Sequence, residues 1–292
     1  MPLTINPLRY PGAKRTLIDY IEDLLVINNL AGGCFLEPYA GSAVVGIELL
    51  RRDIIDTLVL CEKDILLFAF WECVFRKTEA LCKKIRDTPI TIETWKEMNI
   101  YRKETKIHTK NLLNLGFAGL FFNRTNFSGI LNANPIGGIE QKSKYDISCR
   151  FNKQKIIDTI REIAEYSDAV EVYLDDALDF MSYQHFRFVK QKCFIYFDPP
   201  YFEKGEQIYR CFYTRQEHVQ LSTYVKKIKR ADWLISYDDS SFICNLYSDD
   251  KTQYRPLFID YSCATKKRSK GKELLISNLP LPPFPVANVV GF

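Results

Sequence analysis

The chain has 292 residues, 47% hydrophobic and 26% charged, with a net charge of only +4. That length suits one large α/β domain or a core domain with an insert, and that balance excludes extended disorder. No apolar stretch approaches the roughly 18–20 residues that span a bilayer, residues 1–11 lack a signal-peptide core, and the nine cysteines include no Cys-x-x-Cys pair; a membrane protein, a metal site and a disulfide framework are unsupported, and a cytoplasmic address is expected.

An N-terminal loop, residues 6–14, precedes Leu17, Ile18, Ile21, Leu24 and Leu25, which recur at helix spacing. Cys34-Phe35-Leu36 reads as a short strand that ends in Glu37-Pro38-Tyr39-Ala40-Gly41-Ser42. A helix through Val44, Val45, Ile47, Leu49 and Leu50 follows, and residues 57–61 read as a buried strand closed by Glu62. Strand, glycine turn, helix, strand and acid, in that order, open a doubly wound sheet. Residues 64–122 are mostly helical in pattern. Residues 123–150 dissolve into Asn, Gly and Ser among aromatics, the composition of a long functional loop.

Helix signals return at 153–166. Strands are expected at 170–174, 193–197, 233–236, 255–259 and 274–277, with a helix over 216–229 capped by Thr214 and a proline-rich tail at 280–285. Residues 1–65 and 166–292 thus read as one catalytic α/β domain, and 66–165 as an insert whose own core lies around Trp95 and Phe117. Cys34, Cys61 and Cys193 sit in apolar runs, as small buried side chains do.

The charge is unevenly placed. Residues 100–155 hold ten Lys/Arg against three Asp/Glu, and residues 264–272 hold five Lys/Arg and no acid, so the rest of the chain is net acidic. Basic stretches on an acidic remainder suggest a polyanion-binding face, with a solvated surface as the alternative.

Asp198-Pro199-Pro200-Tyr201 follows directly on the apolar run Cys193-Phe194-Ile195-Tyr196-Phe197. Catalytic groups in open α/β sheets sit at such strand ends. The prolines fix the backbone and remove two N–H donors, which frees nearby carbonyls to accept hydrogen bonds. An acid, a rigid carbonyl and an aromatic face suit a planar ligand that carries an amino group, such as adenine. Gly41 allows close approach to the backbone before a helix N-terminus. Glu62, about twenty residues further on, stands where Rossmann-type sites place a ribose-binding acid.

Five segments, in order, resemble the Dam-type, alpha-group family of N6-adenine DNA methyltransferases. They are Leu8-Arg9-Tyr10-Pro11-Gly12-Ala13-Lys14, the run from Phe35 to Ser42, Glu62, Asn123-Arg124-Thr125-Asn126-Phe127-Ser128-Gly129, and the run from Asp198 to Tyr201. The resemblance implies a Rossmann-like S-adenosylmethionine-dependent methyltransferase sheet with a DNA-recognition insert at 66–165. It implies S-adenosyl-L-methionine as donor, held by Tyr10, Lys14, Glu37, Pro38, Gly41, Ser42, Glu62 and Asp198. Tyr10 replaces the tryptophan of some members, and Glu62 replaces the usual Asp.

The implied catalytic set is Asp198, Pro199, Pro200 and Tyr201, with Tyr201 stacking on an adenine flipped out of double-stranded DNA. Arg124, Asn126, Lys142, Lys144, Lys266, Lys267, Arg268 and Lys270 are the expected DNA-binding residues, and Asn123, Asn132 and Asn134 can also read base edges. Residues 100–155 and 264–272 would form one DNA-facing surface, the second as a loop. A monomer is expected. The alternatives are a methyltransferase for the cytosine amine or for RNA adenine, disfavoured by Asp rather than Ser at position 198, and a catalytically silent DNA-binding partner subunit, disfavoured by the intact Lys14 and Asp198.

Overall fold

The computed structural model describes residues 6–9, 14–184, 187, 191–203, 205–248, 252–261 and 269–283. The described strands are β1 (Cys34–Glu37), β2 (Thr57–Glu62), β3 (Val170–Leu174), β4 (Cys193–Phe197), β5 (Asp232–Asp238), β6 (Gln253–Tyr261) and β7 (Ser269–Ser277), with helices between successive strands from β1 to β6. They form one sheet in the order β3-β2-β1-β4-β5-β7-β6. The first five run parallel, and β7 enters antiparallel between β5 and β6. Every residue of β1 and β4 is buried, which is why both are continuous apolar runs rather than alternating ones. The Rossmann-like α/β fold expected above is the one observed.

Helices α1 (Ile18–Ile27) and α2 (Val44–Arg51) precede β1 and β2. Helices α3 (Ile65–Arg76), α4 (Thr78–Asp87), α5 (Ile92–Met98), α6 (Leu112–Thr125) and α7 (Lys153–Ala164) fill the long connection from β2 to β3. Helices α8 (Ala177–Gln184), α9 (Arg215–Val225) and α10 (Ser241–Tyr247) follow β3, β4 and β5, and a single helical turn at Gly205–Ile208 precedes α9. In α7 the isoleucines at 156, 157, 160 and 163 are buried, a 3.6-residue stripe that docks one face. In α6 every residue from Leu115 to Asn123 is buried, so it is an interior helix. Its closeness to α3 depends on glycine. A Cβ on Gly116 would lie 2.5 Å from the Ala69 carbonyl oxygen, and one on Gly119 equally close, at 2.5 Å, to that of Leu66.

Phe117 and Trp95 belong to the same continuous apolar cluster as Phe35 and Leu58 of the sheet. On the opposite face of the sheet, Leu36, Ile195, Ile235 and Ile276 pack with α8, α9 and α10. Cys34, Cys61 and Cys193 are buried as expected. Among the described residues, no helix is long and apolar enough to cross a membrane.

Two expectations about elements need correction. The helix expected over 216–229 spans Arg215–Val225, with Thr214 and Glu217 forming a reciprocal capping box. Lys270 and Lys272 were expected in a loop; they lie instead in β7, paired with Asp260 and Phe258 of β6. Ladder hydrogen bonds carry this hairpin onward where no apolar alternation announces a strand.

Candidate active site

The strand order reverses between β1 and β4, and an open α/β sheet leaves a crevice beyond its strand ends at such a point. Glu37 ends β1, Glu62 ends β2, Asp198 follows β4, and Asp176 lies two residues past β3. All four line one cleft that encloses about 750 Å³ of space, part of it open solvent. Lys14, Pro38, Gly41, Ser42 and Pro200 join the lining, as do Tyr39, Tyr209, Cys211 and Tyr213.

One end of the cleft is a buried charge cluster. Lys14 Nζ lies 2.9 Å from Asp198 Oδ1 and 3.3 Å from Glu273 Oε1, and it donates to the Tyr201 hydroxyl at 3.0 Å. That hydroxyl donates in turn to Glu273 Oε1. Ser236 Oγ donates to Asp198 Oδ1 at 2.7 Å and shares a hydrogen bond with the Tyr196 hydroxyl. Asp198 thus takes these bonds on Oδ1, while 26% of its side chain stays exposed to the cleft. Burial alone would lower the Lys14 pKa, but the carboxylates of Asp198 and Glu273 outweigh it and hold the ammonium well above the usual lysine value. Burial raises the Asp198 carboxyl above the ordinary aspartate value, against the pull of Lys14. Beyond the two prolines, the Asp238 carboxylate at the end of β5 accepts the amides of Phe202 and Glu203, both at 2.9 Å, and so fixes the turn.

The other end holds two buried glutamates. Glu62 accepts the amide of Gly41 at 2.9 Å on one oxygen and that of Asp64 at 2.7 Å on the other. Burial, then the neighbouring Asp64, push its pKa up to about 7. Glu37 accepts the Gly46 amide at 2.9 Å on Oε1, while its buried Oε2 has no partner among the described residues. Burial pushes Glu37 up to about 8. The glycine turn between them is anchored by the Trp71 indole, which donates to the Gly41 carbonyl at 2.9 Å.

The profile of the D12 class N6 adenine-specific DNA methyltransferases matches residues 10–257 of this chain. The chain belongs to that family. It is an enzyme that methylates the N6 amine of adenine in DNA, which sets aside the cytosine and RNA alternatives. Type II methyltransferase M.MjaIII of Methanocaldococcus jannaschii is 22% identical, over 93% of this chain and 98% of its own length. Among solved structures, Streptococcus pneumoniae Sp1610, a candidate tRNA (m1A22) methyltransferase, is similar with a TM-score of 0.39 and 10% identity over 91% of this chain and 72% of its own.

The residues expected to bind DNA in this methyltransferase fall into three groups. Asn126 is fully buried: its Oδ1 accepts the Trp95 indole at 2.7 Å, and its Nδ2 donates to the Ile130 and Leu131 carbonyls at 3.0 and 2.9 Å. The expectation that it reads bases is therefore corrected, because every polar atom of the side chain is bound inside the protein. Asn123 is likewise buried, bonded to the Arg9 amide and carbonyl and to the Gly129 carbonyl. Arg124 donates to the Pro7 and Asn6 carbonyls and thereby holds the N-terminal segment. Burial, then the nearby Arg9 and Arg15, lower its pKa to about 10.

Lys142 and Lys144 are exposed, the first ion-paired with Glu140 and the second beside the Tyr145 ring. Asn132 and Asn134 are exposed as well. Tyr10, Lys266, Lys267 and Arg268 lie outside the described residues, and Lys270 is described for its backbone alone.

Tyr201 is more covered than expected, at 7% exposure. The aromatic lining of the cleft comes from Tyr39, Tyr196, Tyr209 and Tyr213. Sequence reasoning missed Glu273, Ser236, Asp238 and Asp176. The signal available for Asp238 and Asp176 was an acidic pair where a strand ends, Asp238-Asp239 at the end of β5 and Asp175-Asp176 directly after β3. Glu273 offered only a weak one, a single acid between a basic run and an apolar strand.

Proposed function

We propose that the methyl donor of this enzyme is S-adenosyl-L-methionine, that its substrate is double-stranded DNA with the target adenine flipped out, and that it belongs to the Dam-type, alpha group of its family. The observation that carries the reading is the cleft at the switch point, where Glu37, Glu62 and Asp198 converge on one space and the buried Glu37 Oε2 has no partner among the described residues. The donor bears an ammonium and a sulfonium, and a cation is what such a buried carboxylate lacks. Bound there, it supplies an electrophilic methyl group.

Glu62 and the Gly41 turn would hold the ribose side, Glu37 the cationic side, with Pro38, Ser42 and Lys14 completing the wall. Tyr10 completes the set by the motif resemblance. Residues 1–65 and 166–292 form the catalytic part on this reading. Recognition belongs to 66–165, where Lys142 and Lys144 would contact phosphates and Asn132 and Asn134 base edges. The basic stretch 264–272 would grip the duplex on another side.

The chemistry falls to Asp198 and its neighbours. The N6 lone pair of adenine is delocalised into the ring and is a poor nucleophile. Asp198 Oδ2 and the Pro199 carbonyl would accept the two N6 hydrogens and localise that pair on nitrogen. Lys14 and Ser236, both on Oδ1, hold the carboxylate in one orientation. The donor, when bound, would supply the methyl group that this N6 pair accepts, and its sulfur would keep the electrons of the broken bond to carbon. The proton then leaves N6 towards Asp198. Positioning supplies much of the acceleration.

Single-molecule sequencing of host DNA after expression tests this reading. N6-methyladenine at one recurrent sequence is the expected outcome, and host DNA with no modified adenine contradicts it.

A further inference from the structure

Residues 205–213 form part of the cleft wall, with Tyr209, Cys211 and Tyr213 in its lining. Arg210 lies within this wall but reaches away from the catalytic charges. Its Nη1 makes a 3.0 Å ion pair with Asp64 Oδ1, the two side chains being 15% and 5% exposed. Its Nη2 donates to the Arg102 carbonyl at 3.0 Å. Each end of this fork leads on. The Asp64 amide donates to Glu62 at 2.7 Å, and Asp64 caps α3 by accepting the Leu66 amide at 2.9 Å. Arg102 donates from Nη2 to the Ala133 carbonyl at 3.1 Å. Its guanidinium lies 4.8 Å from the Trp95 ring centre and 4.1 Å from that of Phe122, and Trp95 holds Asn126. A continuous path therefore runs from the donor-side glutamate, through the wall, to the loop that carries Asn132 and Asn134.

We propose that Arg210 is a positioning residue that couples donor binding to DNA binding, an inference that rests on the function proposed above. The guanidinium suits this because its planar fork fixes two partners in one geometry, whereas an ammonium acts as a point charge. Here one partner belongs to the donor side and the other to the recognition side. An occupant of the cleft packs against Tyr209, Cys211 and Tyr213 and so restrains Arg210. Arg210 restrains Arg102, and Arg102 restrains the carbonyl of Ala133. The arrangement also places two arginines side by side, and Arg102, pushed down to about 10 by burial and by Arg210, is held there by the aromatic faces and the Ala133 carbonyl. Coupling between two binding sites is reciprocal: DNA raises donor affinity by the factor by which donor raises DNA affinity.

The test measures that factor with S-adenosylhomocysteine, by calorimetry on the full chain, with and without a duplex carrying the sequence mapped in host DNA. The wild type is expected to bind S-adenosylhomocysteine on the order of tenfold more tightly in the presence of the duplex, within the usual range for coupled sites. In Arg210→Gln the factor falls towards one while each ligand alone keeps near its wild-type affinity. Arg210→Lys retains the charge facing Asp64 but lacks the second arm, and it keeps a fraction of the coupling. Asp64→Asn preserves a capping side chain and breaks the ion pair, so it lowers the factor even if Arg210→Gln fails to fold. A wild type that binds both ligands independently overturns the coupling and leaves the proposed function standing, as does an Arg210→Gln or Asp64→Asn protein with the wild-type factor. A wild type that binds no S-adenosylhomocysteine overturns the donor assignment itself.

Discussion

Residues 198–201 and 123–129 are both short polar stretches at the ends of buried elements, yet they direct their polar atoms oppositely. The first follows β4 and delivers Asp198 to the cleft, with 26% of its side chain open and Lys14 and Ser236 both bonded to Oδ1. The second ends α6 and turns Asn123 and Asn126 inward, where they bond to carbonyls, an amide and the Trp95 indole. A strand end at a switch point projects into a crevice, whereas a helix end packed beneath a loop must satisfy that loop's backbone groups. Polar residues in a motif can thus serve chemistry in one place and scaffold the recognition loop in another.

Five substitutions or titrations break or sharpen that contrast. The largest effect falls on Asp198. Asp198→Ala is expected to lower turnover by roughly 10²–10³, as for removal of one electrostatic stabiliser, with a smaller loss of thermal stability because the buried Lys14 keeps Glu273 and the Tyr201 hydroxyl. Steady-state kinetics beside a melting curve checks both, and full activity in the variant would end the mechanism proposed for that carboxylate. Asn126→Ala should show the reverse pattern. It leaves the Trp95 indole and the Ile130 and Leu131 carbonyls without their partner, for a loss of about 2–4 kcal/mol in stability by denaturant unfolding. A variant of unaltered stability that methylates new sequences would restore Asn126 as a base reader.

Glu62→Ala is expected to weaken S-adenosylmethionine binding by about 1–3 kcal/mol. The same glutamates give binding a pH dependence. Glu62 sits at about 7 and Glu37 at about 8, both raised by burial. At lower pH they are protonated and neutral, and a cationic donor gains only from their ionised forms. Affinity should therefore rise with pH through that interval, with a proton released on binding. Calorimetry in two buffers of different ionisation heat measures this release, and a flat profile removes both groups from the site. The smallest effect belongs to the exposed lysines. Neutralising Lys142 and Lys144 should lower the slope of log affinity against log salt by roughly 0.9 for each phosphate they would otherwise neutralise, equally on all sequences. An unchanged slope makes them ordinary solvated surface.

Most of the sheet was legible because its strands are apolar runs bounded by turn residues, and Asp198, the proposed catalytic carboxylate, was legible because it directly follows one of them. Glu273 was not, since its role depends on topology. Inserting β7 antiparallel beside β5 sets Glu273 opposite Asp238, which brings the middle of the last strand to the carboxyl ends of the parallel ones. The hairpin carrying Lys270 was hidden for a related reason, as only its pairing with β6 makes it a strand. Asn126 misled because an asparagine has the same donors and acceptors for an adenine edge as for a buried carbonyl, and burial alone distinguishes the two uses. Arg210 and Asp64 lie 146 residues apart in the chain, beyond any local pattern.

The central claim is that the cluster of Lys14, Asp198 and Ser236 directs a methyl group to N6 of adenine in duplex DNA. Mass spectrometry of nucleosides from an unmethylated plasmid, incubated with the purified protein and S-adenosylmethionine, tests it most directly. N6-methyldeoxyadenosine from the wild type, and roughly 10²–10³-fold less of it from Asp198→Ala in the same time, is the predicted result. N4-methyldeoxycytidine in its place, or equal N6-methyldeoxyadenosine from both proteins, would contradict the account.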